Sequence, residues 1–107
     1  PAMVFFDFDS STMLPEAGAT LDTVVENISI CDWSALSVIG HTDQAGSDQY
    51  NNTLSQERAD AVAAALRNRN VGGARIEVGA RGESSPRVPL PDGTRSPQNR
   101  RVEIAAE

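Results

Sequence analysis

Apolar residues along this 107-residue chain fall into four short β-like runs and two longer repeats at helical spacing. The first run, Ala2–Phe8 (AMVFFDF), is rich in β-formers and predicts strand one. In SSTMLPEAGATLDTVVENISI, Pro15 suits a first helical turn and Glu16 its positive dipole end, while Gly18 weakens it. Leu21, Val24, Val25 and Ile28 then recur at helical spacing. Ala35–Gly40 (ALSVIG) predicts a buried second strand ending at His41-Thr42-Asp43. A second helix begins between Ser47 and Ser55 and ends near Asn70, with Leu54, Ala61, Val62, Ala65 and Leu66 as its apolar stripe. Gly72 and Gly73 stop it. Arg75–Arg81 alternates as a third strand, with Ile76, Val78 and Ala80 facing one way. Residues 83–98 carry four prolines and an Asp-Gly turn signal and are expected to form a loop. RRVEIA returns as a fourth strand with Val102 and Ile104 inward. The order β-α-β-α-β-β implies an α/β (α+β) two-layer sandwich, a small mixed four-stranded sheet with two helices on one face.

Composition narrows the functional class. The length suits a single domain, residues 1–107, expected to be excised from a longer protein. No apolar run approaches the roughly 18 residues of a membrane span, so direct membrane insertion by this segment is not expected. A net charge of −6 argues against a nucleic-acid partner. The charges are unevenly placed: residues 1–57 hold no Lys or Arg, and all nine Lys or Arg residues, every one an arginine, lie from Arg58 onward. Genome-wide bias towards arginine is one account. The other is that acidic and basic edges from the two halves meet around a zwitterionic ligand. The single cysteine, Cys31, excludes an internal disulfide and is expected to be a buried small hydrophobe.

The first strand raises the question of catalysis. In VFFDFDSST, Asp7 and Asp9 follow an apolar run, and residues two apart on a strand share a face. A haloacid-dehalogenase-type phosphatase begins this way, with one aspartate as nucleophile, its neighbour as acid, and magnesium between them. Such a site also needs a cation, normally Lys, on the transferring phosphoryl group and further acids for the metal. This chain has no Lys, has Ser10 where a glycine is usual, and is too short for a five-stranded parallel core. A magnesium-dependent phosphatase using this DxD is therefore the weaker alternative, and no catalytic or metal-binding residues are assigned. His41, the only histidine, is expected to be a hydrogen-bonded structural residue rather than a partner of Ser55.

The richest stretch is GHTDQAGSDQYNNTLSQERADAV, residues 40–62. It sets Asp43 at the exit of a buried strand and Arg58 on the following helix. Asn51, Leu54 and Arg58, three and four apart, share one helical face. If the Gly46 loop folds back, an acceptor and a fork of donors face one small space. That combination suits an amino-acid head group, Asp43 taking the ammonium and Arg58 the carboxylate. The competing reading is an exposed Asp43–Arg58 salt bridge worth roughly 0–1 kcal/mol.

These residues carry a family resemblance. FFDFDSS, the central GHTDQAGSDQYNNTLSQERADAV, RIEVGARGESSP and NRRVEI together resemble the OmpA-like C-terminal domain, the peptidoglycan-binding module of the OmpA, Pal and MotB family. The resemblance implies that Asp43 and Arg58 clamp the amino and carboxylate groups at the free end of meso-diaminopimelate in the stem peptide. It implies that Phe8 and Asp9 contact the stem, and that Thr42, Asn51 and Leu54 (the last partly through its backbone) line the pocket. Relatives often carry a Gly-Arg just before NRR. Here the segment reads DGTRSPQNRRVEI, so Arg95 is one residue out of step, Ser96 stands nearer its place, and Arg100 is the other candidate. Alternatively Arg100 and Arg101 are strand residues paired with acids such as Asp7. The Pro-rich loop, residues 86–97, is somewhat longer than usual for the family.

The expected function is non-catalytic: peptidoglycan binding in the periplasm, anchoring an outer-membrane or envelope protein of a Gram-negative bacterium to its wall. Attachment to the outer membrane would come through a missing N-terminal region. The role needs no metal or organic cofactor. An interaction module of a trans-envelope or motor complex is the third class considered, and homodimerisation is left open.

Overall fold

The computed structural model describes residues 2–43, 45–82 and 97–106. The expected order of elements is present. Strand β1 is Ala2–Phe5, helix α1 Ala17–Cys31, strand β2 Ala35–Gly40, helix α2 Asp48–Asn68 and strand β3 Arg75–Ala80. A short 3₁₀ turn, Pro97–Asn99, leads into strand β4, Arg101–Ala106. The Pro-rich loop, Arg95 and Ser96 lie outside the described residues.

The sheet is mixed, in the order β1-β4-β2-β3. The last strand enters between the first and second, antiparallel to both, while β2 and β3 run parallel across the α2 crossover. Alternation then sorts the side chains. Val102 and Ile104 of β4, with Leu36 and Val38 of β2 and Val4 of β1, meet Leu21, Val24 and Ile28 of α1 and Ala59, Val62 and Leu66 of α2 in one core. Both helices therefore cover the same face, as expected.

The local signals act slightly differently from their reading. β1 ends at Phe5, three residues early; Phe6 keeps only an isolated bridge to Met13, and residues 8–9 turn. Asp9 takes a left-handed conformation (φ 55°), so the two carboxylates of the DxD stand in a turn rather than on one face of a strand. α1 starts after Pro15-Glu16 and ends at Asp32, left-handed at φ 56°, whose N–H donates to the Ile28 carbonyl. Cys31, at that last turn, is exposed, contrary to expectation: the core stripe ends at Ile28, and Cys31 is carried past it. α2 begins at Asp48, capped by Ser47, whose hydroxyl accepts the Tyr50 N–H at 3.2 Å. Its buried face is Asn51, Leu54, Ser55, Arg58, Ala59, Val62, Ala63 and Leu66. Ala61 and Ala65, assigned to the stripe, are only partly buried. Arg69 ties the helices together, its Nε donating to Asp22 Oδ1 at 2.8 Å.

One close approach fixes α2 on the sheet. At Gly40, the last residue of β2, a Cβ would overlap the Ser55 carbonyl. The helix backbone thus rests directly on the strand end, which carries Arg58, one turn further on, to the exit of β2. Gly40→Ala should cost about 1–3 kcal/mol through this overlap, read as a lower urea midpoint. Gly73→Ala, where a Cβ meets nothing within 4 Å, is the control and should change stability by less than about 0.5 kcal/mol.

Candidate functional site

The buried face of α2 changes character along its length. Its C-terminal half presents Ala59, Val62 and Leu66 to the core, whereas its first turns present Asn51, Ser55 and Arg58. Arg58 is completely buried. Its fork reaches three main-chain acceptors: Nε donates to the Ser10 carbonyl at 2.8 Å, Nη2 to Asp7 at 3.0 Å and Nη1 to His41 at 3.0 Å. The guanidinium carbon stands 5.3 Å from the centre of the Phe6 ring, within cation–π range. Burial lowers the Arg58 pKa to about 10; Asp43 and Asp9 oppose the shift, and the charge of Arg100 adds to it. No carboxylate lies within 4 Å of this cation among the described residues. Three of its five N–H groups are used by the carbonyls, and two remain.

Asp43 is buried at the exit of β2, as expected, but its ion-pair partner is Arg100. Arg100 Nη1 donates to Asp43 Oδ2 at 3.0 Å, and Arg100 Nε donates to the Phe6 carbonyl at 3.1 Å. The other oxygen, Oδ1, accepts the Ala45 N–H at 3.2 Å. The exposed Asp43–Arg58 salt bridge considered from sequence is therefore not what forms; both residues are buried and neither bridges the other. Likewise Arg100 pairs with Asp43 and Arg101 with Glu103 at 2.7 Å, not with Asp7.

The remaining sequence-derived residues converge around this pair. Thr42 is buried beside Asp43; its N–H donates to the Gly82 carbonyl at 2.8 Å, and its hydroxyl finds no partner among the described residues. Asn51 and Leu54 are buried on the same face of α2 as Arg58. Phe8 and Asp9 sit on the exposed crest of the turn whose two ends, Asp7 and Ser10, are held by Arg58. Phe8 exposes 41% of its surface.

Several contributors were not anticipated: the Phe6 ring, the carbonyls of Asp7, Ser10 and His41, and Ser55. The Ser55 hydroxyl accepts the Gly82 N–H at 3.0 Å and donates to the Asn52 carbonyl, pinning the exit of β3 to α2. A signal for the buried arginine was present. Arg58 falls on the stripe running from Leu54 to Val62, so the helical period alone turns it inward.

His41 is buried as a structural residue, but neither ring nitrogen has a hydrogen bond. Nε2 stands 3.8 Å from Glu103 Oε1. Burial, with Arg101 and Arg81 nearby, lowers its pKa from 6.5 to about 4, against the opposing pull of Glu103.

The geometry is that of a covered cluster of charged and polar groups at one end of the sheet: a buried carboxylate, a buried guanidinium with donors to spare and an orphan hydroxyl, next to an exposed aromatic turn. The chain belongs to the OmpA family, whose model matches residues 5–100. It is 36% identical over 103 residues to outer membrane protein A of Bordetella avium, an overlap of 96% of this chain and 53% of that protein. It is 39% identical over 110 residues to a Gloeobacter violaceus protein named photosystem I P700 chlorophyll a apoprotein A2, covering 97% of this chain but only 13% of the other. Among solved structures, the peptidoglycan-associated lipoprotein of Burkholderia pseudomallei superimposes with a TM-score of 0.88 at 31% identity, over all of this chain and 91% of that one. The chain thus spans about half, or much less, of the length of these curated relatives.

Two predictions follow from the buried charges. Arg58→Ala removes a cation and strips three carbonyls of their donors, and should lower stability by at least about 3 kcal/mol in chemical denaturation. A loss below about 1 kcal/mol would show that the fork does not hold the turn. His41 makes stability pH-dependent. The unfolded chain takes up the proton more readily, so the contribution is complete above about pH 6.5 and falls as pH drops towards 4. The span is worth about 3 kcal/mol. His41→Gln should flatten the stability curve across that window relative to the parent chain.

Proposed function

We propose that this cluster binds the diaminopimelate head group of peptidoglycan and that the chain is a non-catalytic wall-anchoring domain of a longer envelope protein. The observation that carries the reading is Arg58: a buried cation with no carboxylate within 4 Å among the described residues and with two N–H groups left over. A buried charge of this kind gains from an anion brought by a ligand. Asp43, close enough to act on Arg58 electrostatically, supplies the complementary seat for an ammonium. Thr42 offers an unused hydroxyl between them in sequence, and Asn51 and Leu54 form the side of the cluster on α2. Phe8 and Asp9, exposed on the turn above, are placed to meet the stem peptide beyond the head group. The name of the Burkholderia relative, a peptidoglycan-associated lipoprotein, points to the same polymer.

The location that goes with this role is the periplasmic space, with residues 1–107 acting as one domain of a protein tied to the outer membrane elsewhere along its length. The phosphatase alternative has little to rest on. The DxD is split across a turn, and among the described residues no cluster of three or more His, Cys, Asp or Glu side chains is placed to hold a metal.

The role of Arg58 is testable without disturbing the protein, by changing the wall. Diaminopimelate carries a carboxylate beside its terminal ammonium, and lysine lacks it. Charge-assisted hydrogen bonds worth about 1.5–3 kcal/mol correspond to roughly ten- to a hundredfold in affinity. Pull-down on purified sacculi should therefore show retention on diaminopimelate-type walls at least tenfold stronger than on lysine-type walls, and retention should be lost in Asp43→Asn. Equal retention on both wall types, with Asp43→Asn unaffected, would falsify the clamp.

A further inference from the structure

Strand β3 forms one margin of the sheet: β2 lies on one side of it, and no strand among the described residues lies on the other. Its six residues, Arg75–Ala80, run without a proline, a lysine or a bulge, devices that commonly keep a sheet edge from pairing. Its only charged side chains, Arg75 and Glu77, are exposed and neutralise each other, Arg75 Nε donating to Glu77 Oε2 at 3.1 Å. The ladder to β2 fixes the direction of the main-chain groups. The Arg75 and Arg81 N–H groups donate to the Ser34 and Gly40 carbonyls at 2.9 and 3.0 Å. Alternation therefore turns the N–H and C=O groups of Ile76, Val78 and Ala80 to the open edge. Ile76 and Val78 stand opposite Leu36 and Val38 on the helix-covered face, where both remain only partly buried.

We propose that this edge pairs with the same edge of a second copy of the chain, antiparallel about a two-fold axis at Ile76, joining two sheets into one. The strand is complementary to itself in that register. The two Ile76 residues exchange a reciprocal pair of main-chain hydrogen bonds, and their side chains meet on the covered face. On the other face, Arg75 of each copy stands across from Glu77 of the other, which turns two separate ion pairs into one group of four charges. Centring the axis on Glu77 or Val78 instead sets like charges opposite each other, Glu77 against Glu77 or Arg75 against Arg81. Centring it on Gly79 runs Ile76 against Gly82, whose carbonyl and N–H are already held by Thr42 and Ser55. A strand of another protein would satisfy the main chain equally well; the Arg75–Glu77 pattern is what singles out a second copy. Because β2 and β3 are parallel, the cluster around Asp43 and Arg58 lies by the C-terminal end of β3. Antiparallel pairing sends the two clusters to opposite ends of the joined sheet, about 30 Å apart along the strands. That the paired domain holds two stem peptides at once rests on the head-group reading above; the pairing itself does not.

The contact is small, since six-residue strands bury less than the roughly 1,000 Å² of a stable interface. The dimer therefore dissociates on dilution, with an expected dissociation constant of about 10–300 µM. Sedimentation equilibrium of the full chain over a concentration series measures it. Glu77→Arg and Arg75→Glu, both at exposed positions, should each weaken self-association at least tenfold. An equimolar mixture of the two variants should associate within threefold of the parent, because each brings the charges that the other lacks. Hydrogen exchange on the parent chain supplies a second reading: the Ile76 and Val78 amides should exchange more slowly as concentration rises, while the Glu77 amide, which faces β2, does not change. A chain that stays monomeric at about 1 mM overturns the proposal. So does self-association that ignores both charge reversals, is not restored by mixing, or leaves the Ile76 amide unprotected. None of these outcomes touches the head-group reading, which the comparison of wall types decides separately.

Discussion

One end of this domain is organised around one buried guanidinium. Arg58 donates to carbonyls from two separate segments, the turn after β1 and the exit of β2, which are 17 to 51 residues away from it in sequence. Each acceptor would otherwise be a main-chain oxygen left poorly satisfied in a covered place. A lysine could not replace it. An ammonium is a point charge, whereas the planar fork reaches three acceptors in divergent directions at once. The close contact of Gly40 with the Ser55 carbonyl then sets how deep the fork lies. Sheet, helix and turn are positioned by the same residue that carries the unpaired charge.

This bears on the absence of lysine in the chain. At positions 58 and 100 the multipoint contacts call for arginine. At position 75, where an exposed arginine makes a pair with Glu77 that a lysine would make as well, they do not. Composition bias therefore accounts for part of the pattern and site geometry for the rest. The uneven charge along the chain brings the two halves into contact at an ion pair, Asp43 of the acidic first half with Arg100 of the basic second half.

Much of the fold was legible because it depends on period. The 3.6-residue repeat placed Leu21, Val24 and Ile28 inward, and the two-residue repeat did the same for Val102 and Ile104. Element ends were less legible. β1 stops at Phe5 although FDF continues the β-forming composition, because the fork of Arg58 captures Asp7 and Ser10 and turns the chain there. Nothing local to residues 6–10 announces an acceptor requirement that originates some 48 residues later. The site residues were legible as a set, yet their pairing was not. Asp43 and Arg58 are the obvious couple on the sequence, but Arg100, next to the start of β4, is delivered to Asp43 because that strand inserts between β1 and β2. Strand order is a tertiary fact, and ion-pair choice follows from it. Cys31 failed for a simpler reason: apolar character next to Ile30 was read as burial, although the helical period puts both on the solvent side.

The balance of charge at the cluster also limits how strongly it can hold anything. Because Asp43 already pairs with Arg100, a ligand ammonium would compete with an existing interaction rather than add one, and the net gain on that side would be small. On the other side Arg58 would gain an anion, but that anion would lose its water to reach a covered site. Large Coulombic terms therefore cancel in affinity while remaining fully active in discrimination, since a ligand with only one of the two charges leaves one buried group uncompensated. A site built this way favours selectivity over tight single-site binding, with an expected affinity of roughly micromolar to millimolar. For the anchoring role proposed above, that would be sufficient. A polymer presents the same head group many times over, and a surface presents many copies of the domain, so retention comes from the number of simultaneous contacts.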